Sequence, residues 1–294
     1  MIHEGASADR LAVVRIAVFG IWFVIIATTP VSNYTLLPPE LVEPAGIMRL
    51  LPMEALLASE PLLIGLKVAG LVLTLACMLG VRPWRPIALA AVLMIVWHDG
   101  AMKSVQGYVN HAQIVAMYVA VILAVSPAAD ARSIYRVRTV RDGPWTYGGP
   151  LLVSAFVTAT TYSFIGVRRL TVGGAEVFTD GSVERWVAAR SQQHAAYSFD
   201  VGLDAIEVPG VALLLSLGMV LVTVAEASFL LVLRFPRFAT WWLVVLVPFH
   251  LVTVVLLTIP FWENLVLLLV LFAAVRSHGA ATAVTSRTVD KVTS

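Results

Sequence analysis

Eight apolar stretches recur along the chain, and they constrain its fold more than any other feature. They are Leu11–Thr29, Leu62–Val81, Pro86–His98, His111–Val125, Pro150–Gly166, Pro209–Leu233, Phe238–Pro260 and Asn264–Val275. A helix needs about 20 mostly apolar residues to cross the hydrocarbon core of a bilayer. Most of the eight approach that length; Pro86–His98 and Asn264–Val275 are the weakest. Inside hydrocarbon every backbone polar group must find its partner within the protein, which makes these stretches helices. The expected fold class is an all-α polytopic membrane protein with about eight transmembrane helices.

Composition supports that class. Of 294 residues, 59% are hydrophobic and 13% are charged, and the mean hydropathy is +0.88. A soluble globular domain carries about 45–50% apolar and about 25% charged residues. Nothing outside the apolar stretches is long enough for a second folded domain of ordinary size. The membrane domain is expected over residues 1–278, and residues 279–294 read as a disordered cytoplasmic tail. The single Cys77 excludes a disulfide framework. A net charge of +2 gives no reason to expect a nucleic-acid partner. Arginine far outnumbers lysine and Ala and Val are abundant, which suggests a bacterial chain of GC-rich coding, and so a bacterial cytoplasmic membrane.

Basic residues set the expected orientation. With the N-terminus inside and eight crossings, Arg10, Arg82, Arg85, Arg132, Arg136, Arg138, Arg141, Arg234, Arg237, Arg276, Arg287 and Lys291 all fall on the cytoplasmic side. Both termini are then cytoplasmic. Two outer segments are expected as interfacial helices: Leu41–Leu57, and Thr171–Glu207 with Trp186, Val187 and Arg190 at helical spacing.

In that topology the polar residues of the apolar stretches gather toward the outer leaflet. His98 and Asp99 close one stretch, Asn110 and His111 open the next, and Arg168 and Arg169 end the fifth. His250 comes about 12 residues into an outward-running helix, about 18 Å along it. Ionisable groups are expensive inside a bilayer and tend to face a bundle interior or cavity. Each has a plainer reading as well. His98 and His111 would be satisfied at an interface, and Arg169 would snorkel to headgroups. His250 would bond a carbonyl freed near Pro248. Arg15 and Glu226, both within apolar stretches, would form an interhelix ion pair. No pair of histidines has close metal-ligand spacing, so no metal site is expected.

The order of several motifs resembles the horizontally transferred transmembrane domain family, which includes the vitamin K-dependent gamma-glutamyl carboxylase. They are Asn110-His111 opening a helix, Ser163-Phe164-Ile165-Gly166-Val167-Arg168-Arg169-Leu170 ending one, and Glu226 followed by Arg234. Phe249-His250-Leu251 ahead of Ile259-Pro260-Phe261 completes the set. The resemblance covers about residues 8 to 275. It implies a redox-linked enzyme acting on or with a quinone or similar lipid, with quinone or hydroquinone as cofactor and His250 and His111 as catalytic groups. Arg169, Arg168, Asn110, His98, Asp99 and Glu226 would bind. In the carboxylase a lysine near the Gly-x-x-x-Leu motif deprotonates the hydroquinone. The matching positions here are Arg168 and Arg169, and arginine cannot act as that base, though it can neutralise an anion. The alternative, of a different class, is a non-catalytic lipid- or quinone-binding membrane subunit serving a membrane or redox partner protein.

Overall fold

The structure is a computed structural model that describes residues 7–44, 46–106, 113–135, 143–179, 181–193, 201–257, 259 and 261–273. Its α-helices, in chain order, are α1 (Ala8–Thr28), α2 (Met53–Leu57), α3 (Glu60–Leu79), α4 (Trp84–Gln106), α5 (Ile114–Val125) and α6 (Pro144–Gly173). They continue as α7 (Glu176–Thr179), α8 (Ser182–Gln193), α9 (Val201–Glu207), α10 (Val211–Ser228), α11 (Ala239–Leu257) and α12 (Trp262–Phe272). No strand occurs among the described residues. Each of the eight apolar stretches holds a helix among its described residues. Six of these (α1, α3, α4, α6, α10 with the turn after it, and α11) are long and apolar enough to cross a membrane, while α5 and α12 are shorter apolar helices. The chain is therefore an all-α, multi-pass membrane protein.

Local chemistry sets the helix ends. Ser7 caps α1 by accepting from the Arg10 backbone N–H at 3.2 Å, with Asp9 in the first turn. Gly80 ends α3 in the left-handed conformation at φ 67°. The Gly80 and Val81 N–H groups return to the carbonyls of Cys77 and Ala76, which closes the helix with a glycine cap.

Two helices depart from the expected stretches. α4 does not stop at His98 but continues through Lys103 to Gln106. Lys103 bonds Asp99 at i,i+4 spacing and both are buried, so a stretch that reads as a polar link becomes two further helical turns. Gly100 makes the continuation sterically feasible, because Met48 lies against it where a Cβ would stand. α6, at 30 residues, is about 45 Å long and exceeds the roughly 30 Å hydrocarbon core.

The chain divides into two compact units, one formed by His3–Ser154 and the other mainly by Ala155–Ser294. In the first, α1 packs on α3 and α5, α3 on α4, and α4 on α5. Leu11, Val18, Phe19, Trp22 and Ile26 of α1 are fully enclosed. The expected outer segment Leu41–Leu57 is a run of short helices and 3-10 turns. Its Met48, Met53 and Leu57 are buried in a cluster with Leu63 and Ala101, while Leu41, Ile47, Leu50 and Leu51 stay exposed. In the second unit α10 packs on α11, and α11 on α12, with α8 and α9 laid across them. The expected helix around Trp186 is present as α8. Many leucines and valines of α3, α10 and α11 stay exposed, among them Val72, Leu217 and Val244. Exposed apolar surface on that scale belongs in lipid.

Candidate functional site

The second unit holds a polar cluster on helix faces that are otherwise apolar. On α6, Tyr162, Gly166 and Arg169 fall at i, i+4 and i+7, one face of the helix. Gly166 sits so close to α10 that a Cβ there would come within 2.3 Å of the Ala227 backbone nitrogen. Only a glycine permits this approach, and it brings the neighbouring residues of α6 against Thr223 and Glu226. The Arg169 guanidinium donates through one nitrogen to the Glu226 carboxylate at 2.7 Å and to the Thr223 hydroxyl at 3.0 Å. Glu226 is 3% exposed and Thr223 fully buried, so the ion pair is shielded from solvent on its acidic side.

Two helical turns back along that face, the Tyr162 hydroxyl and His250 Nε2 of α11 lie 2.7 Å apart and share one hydrogen bond. Glu226 is within electrostatic range of Tyr162. Rings enclose the imidazole: Tyr162 at 5.9 Å between centroids, Phe249 at 5.3 Å and Phe261 at 5.9 Å. Phe229 stacks edge-on to Tyr162 at 5.4 Å from the other side. His250 is 4% exposed, yet its Nδ1 has no hydrogen-bond partner among the described residues. A buried polar atom without a partner is costly and marks a place where a ligand group can act. The neighbouring Thr253 hydroxyl is already used, donating to the His250 carbonyl at 2.9 Å.

Beside this cluster an apolar cavity of about 350 Å³ opens between α10 and α11, with α8 across it. Val183 and Val187 of α8, Met219 and Val222 of α10, and Pro248, Phe249 and Thr253 of α11 are among its walls. Pro248 and Phe249 thus face the cavity immediately before His250 in the chain. No charged side chain lines it among the described residues.

The remaining residues singled out in the sequence are placed as follows. Arg168 is exposed and has no part in the Arg169–Glu226 pair. His98 and Asp99 belong to the first unit and lie inside α4, not at its end. His98 donates through Nε2 to the Leu66 carbonyl of α3 at 3.3 Å, and its ring packs against Gly70. Asp99 is paired with Lys103. Asn110, His111, His194 and Pro260 lie outside the described residues. Arg15 and Glu226 have separate partners. Arg15 donates to four backbone carbonyls, those of Met78 at 3.1 Å, Ala128 at 2.7 Å, Ala131 at 3.1 Å and Arg132 at 2.7 Å.

Tyr162, Thr223 and Lys103 are functional or structural partners that the sequence reading did not single out. Lys103 was detectable from its spacing to Asp99. Tyr162 stands 88 residues from His250, a separation that leaves no trace in a single sequence. No family model, no curated protein and no solved structure matches the chain.

Proposed function

We propose that this membrane protein binds a quinone or similar lipid at His250, and that it is of the horizontally transferred transmembrane domain type. The reading is carried by the buried Tyr162–His250 hydrogen bond, with Nδ1 left without a partner among the described residues. The pair has two states. With the proton on Nδ1, Tyr162 donates to Nε2 and the Nδ1–H is free to donate to a quinone carbonyl. With the proton on Nε2, that N–H donates to the Tyr162 oxygen and Nδ1 is free to accept from a hydroquinone hydroxyl. One dyad therefore offers a complementary partner to both redox forms, and imidazole is the side chain suited to exchanging that proton. The apolar cavity alongside supplies a volume within the range of small-molecule sites. The site would lie in an outer-facing pocket of eight crossings with both termini inside, an orientation resting on the distribution of basic residues.

A specific observation favours a binder over an enzyme as the second reading. Arg169, the expected anion partner, is already neutralised by Glu226, and no lysine stands at its position to act as a base. Mass spectrometry of solvent-extracted purified protein tests the main reading. A quinone should co-purify, and His250→Gln should lower it about tenfold, the loss expected for one hydrogen bond of about 1.4 kcal/mol. His98→Gln should leave the bound lipid unchanged and lower thermal stability instead. Equal retention in the native and His250→Gln proteins would remove the site. Oxidation of a soluble hydroquinone analogue in air, lost in His250→Gln, would separate an enzyme from a binder.

A further inference from the structure

We infer that the first unit carries a binding site for the headgroup of an anionic phospholipid, formed where α3, α4 and α5 end together. A pocket of about 460 Å³ lies there, lined by Arg82 and Pro83 of the α3–α4 turn, Trp84 and Arg85 at the start of α4, and Ser126 and Asp130 beyond α5. Its floor is fixed: the Trp84 indole N–H donates to the Ser126 carbonyl at 2.9 Å. Two guanidinium groups face one carboxylate. Arg82 is 49% exposed and reaches Asp130 only at 3.9 Å, while the other Asp130 oxygen accepts from the Tyr147 hydroxyl at 3.1 Å. Arg85 is exposed and has no partner among the described residues. Among the described residues its walls therefore carry two arginines and one carboxylate, a net positive charge in a concave site, which suits a phosphate diester.

The surroundings select a lipid over a free phosphate. Arg85, Leu89 and Leu93 follow at i, i+4 and i+8 on α4, and both leucines are exposed, at 46% and 66%. Leu75 and Leu79 of α3 and Val121 and Val125 of α5 are exposed apolar residues leading to the same end of the unit. Arginine at the head of apolar ridges matches an amphiphile with its phosphate at the membrane surface and its acyl chains along the helices. Basic pockets between transmembrane helices recognise anionic lipids by this arrangement.

Native mass spectrometry of the full chain with phosphatidylglycerol and phosphatidylcholine of identical acyl chains provides the test. The native protein should retain phosphatidylglycerol in preference. Arg82→Gln/Arg85→Gln should reduce that preference roughly five- to twentyfold without changing phosphatidylcholine retention, and Arg49→Gln, near the other end of α3, should leave it intact. Arg85→Gln alone should cut it severalfold, and because Arg85 has no partner among the described residues that variant remains informative if the double variant is unstable. A folded double variant that keeps its preference would overturn the site. Complete displacement of phosphatidylglycerol by inorganic phosphate would overturn the lipid assignment, since the acyl chains would then contribute nothing.

Discussion

Each unit holds an arginine within an apolar helix, Arg15 fully buried and Arg169 21% exposed, and the two are held in opposite ways. Arg15 of the first unit has no carboxylate partner among the described residues and spreads its donors over four backbone carbonyls, one at the C-terminal end of α3 and three in the turn after α5. Arg169 of the second unit is held by side chains, Glu226 and Thr223. The histidines divide along the same line. His98 donates to a backbone carbonyl across α3 and α4, whereas His250 meets a tyrosine and keeps one nitrogen without a partner among the described residues. A carbonyl cage fixes geometry and has no chemistry to offer, because a peptide oxygen neither gives nor takes a proton at ordinary pH. Side chains bonded to side chains can exchange protons and partners. The first unit spends these buried polar groups on holding helix ends together; the second retains groups that can act.

The sharpest way to break this contrast is Arg15→Met. Four carbonyls would lose their donor, each at about 1–3 kcal/mol when left unsatisfied, a loss of the order of the whole stability of a domain. No monodisperse protein should elute in size-exclusion chromatography. A well-behaved Arg15→Met protein would show that the cage is dispensable.

A smaller effect is expected at the ion pair. Arg169→Leu or Glu226→Leu alone should cost about 3 kcal/mol by stranding a buried charge, and the double variant should cost less than either. A double-mutant cycle on unfolding in detergent measures this coupling. Additive losses would mean that the pair is not an energetic unit and that Arg169 is free for another partner.

The smallest pair of effects concerns glycines. Gly166→Ala drives a methyl into the α10 backbone and should cost about 1–3 kcal/mol. Gly65→Ala on α3 meets no atom within 4 Å and should change stability by less than about 0.5 kcal/mol. Similar thermal shifts for the two would contradict the tight α6–α10 contact that positions Tyr162 and Arg169.

Much of the fold was readable from the sequence because hydropathy is a property of consecutive residues. Each of the eight apolar stretches holds a helix among its described residues, and α8 was visible in the spacing of Trp186, Val187 and Arg190. The end of α4 was misread. Gly100 and the polar residues after it look like a link, but the Asp99–Lys103 pair and the packing of Met48 on Gly100 are tertiary facts. For the site, His250, Arg169 and Glu226 stood out singly as polar residues in apolar runs. Their partners did not. Tyr162 is inconspicuous within Thr160-Thr161-Tyr162-Ser163, and the carbonyls around Arg15 have no residue identity to read.

α8 has only 12 residues, and a helix of that length is marginal on its own in water. It persists because Val183 and Val187 are buried and Trp186 lies over the cavity between α10 and α11. Its stability is thus tied to what lies beneath it. A ligand that binds beneath the folded helix adds RT ln(1 + [L]/Kd) to the free energy of opening that helix. Deuterium uptake by the backbone amides of α8 therefore reads out occupancy directly, slowing as the cavity fills, in the intact protein and with no need for turnover.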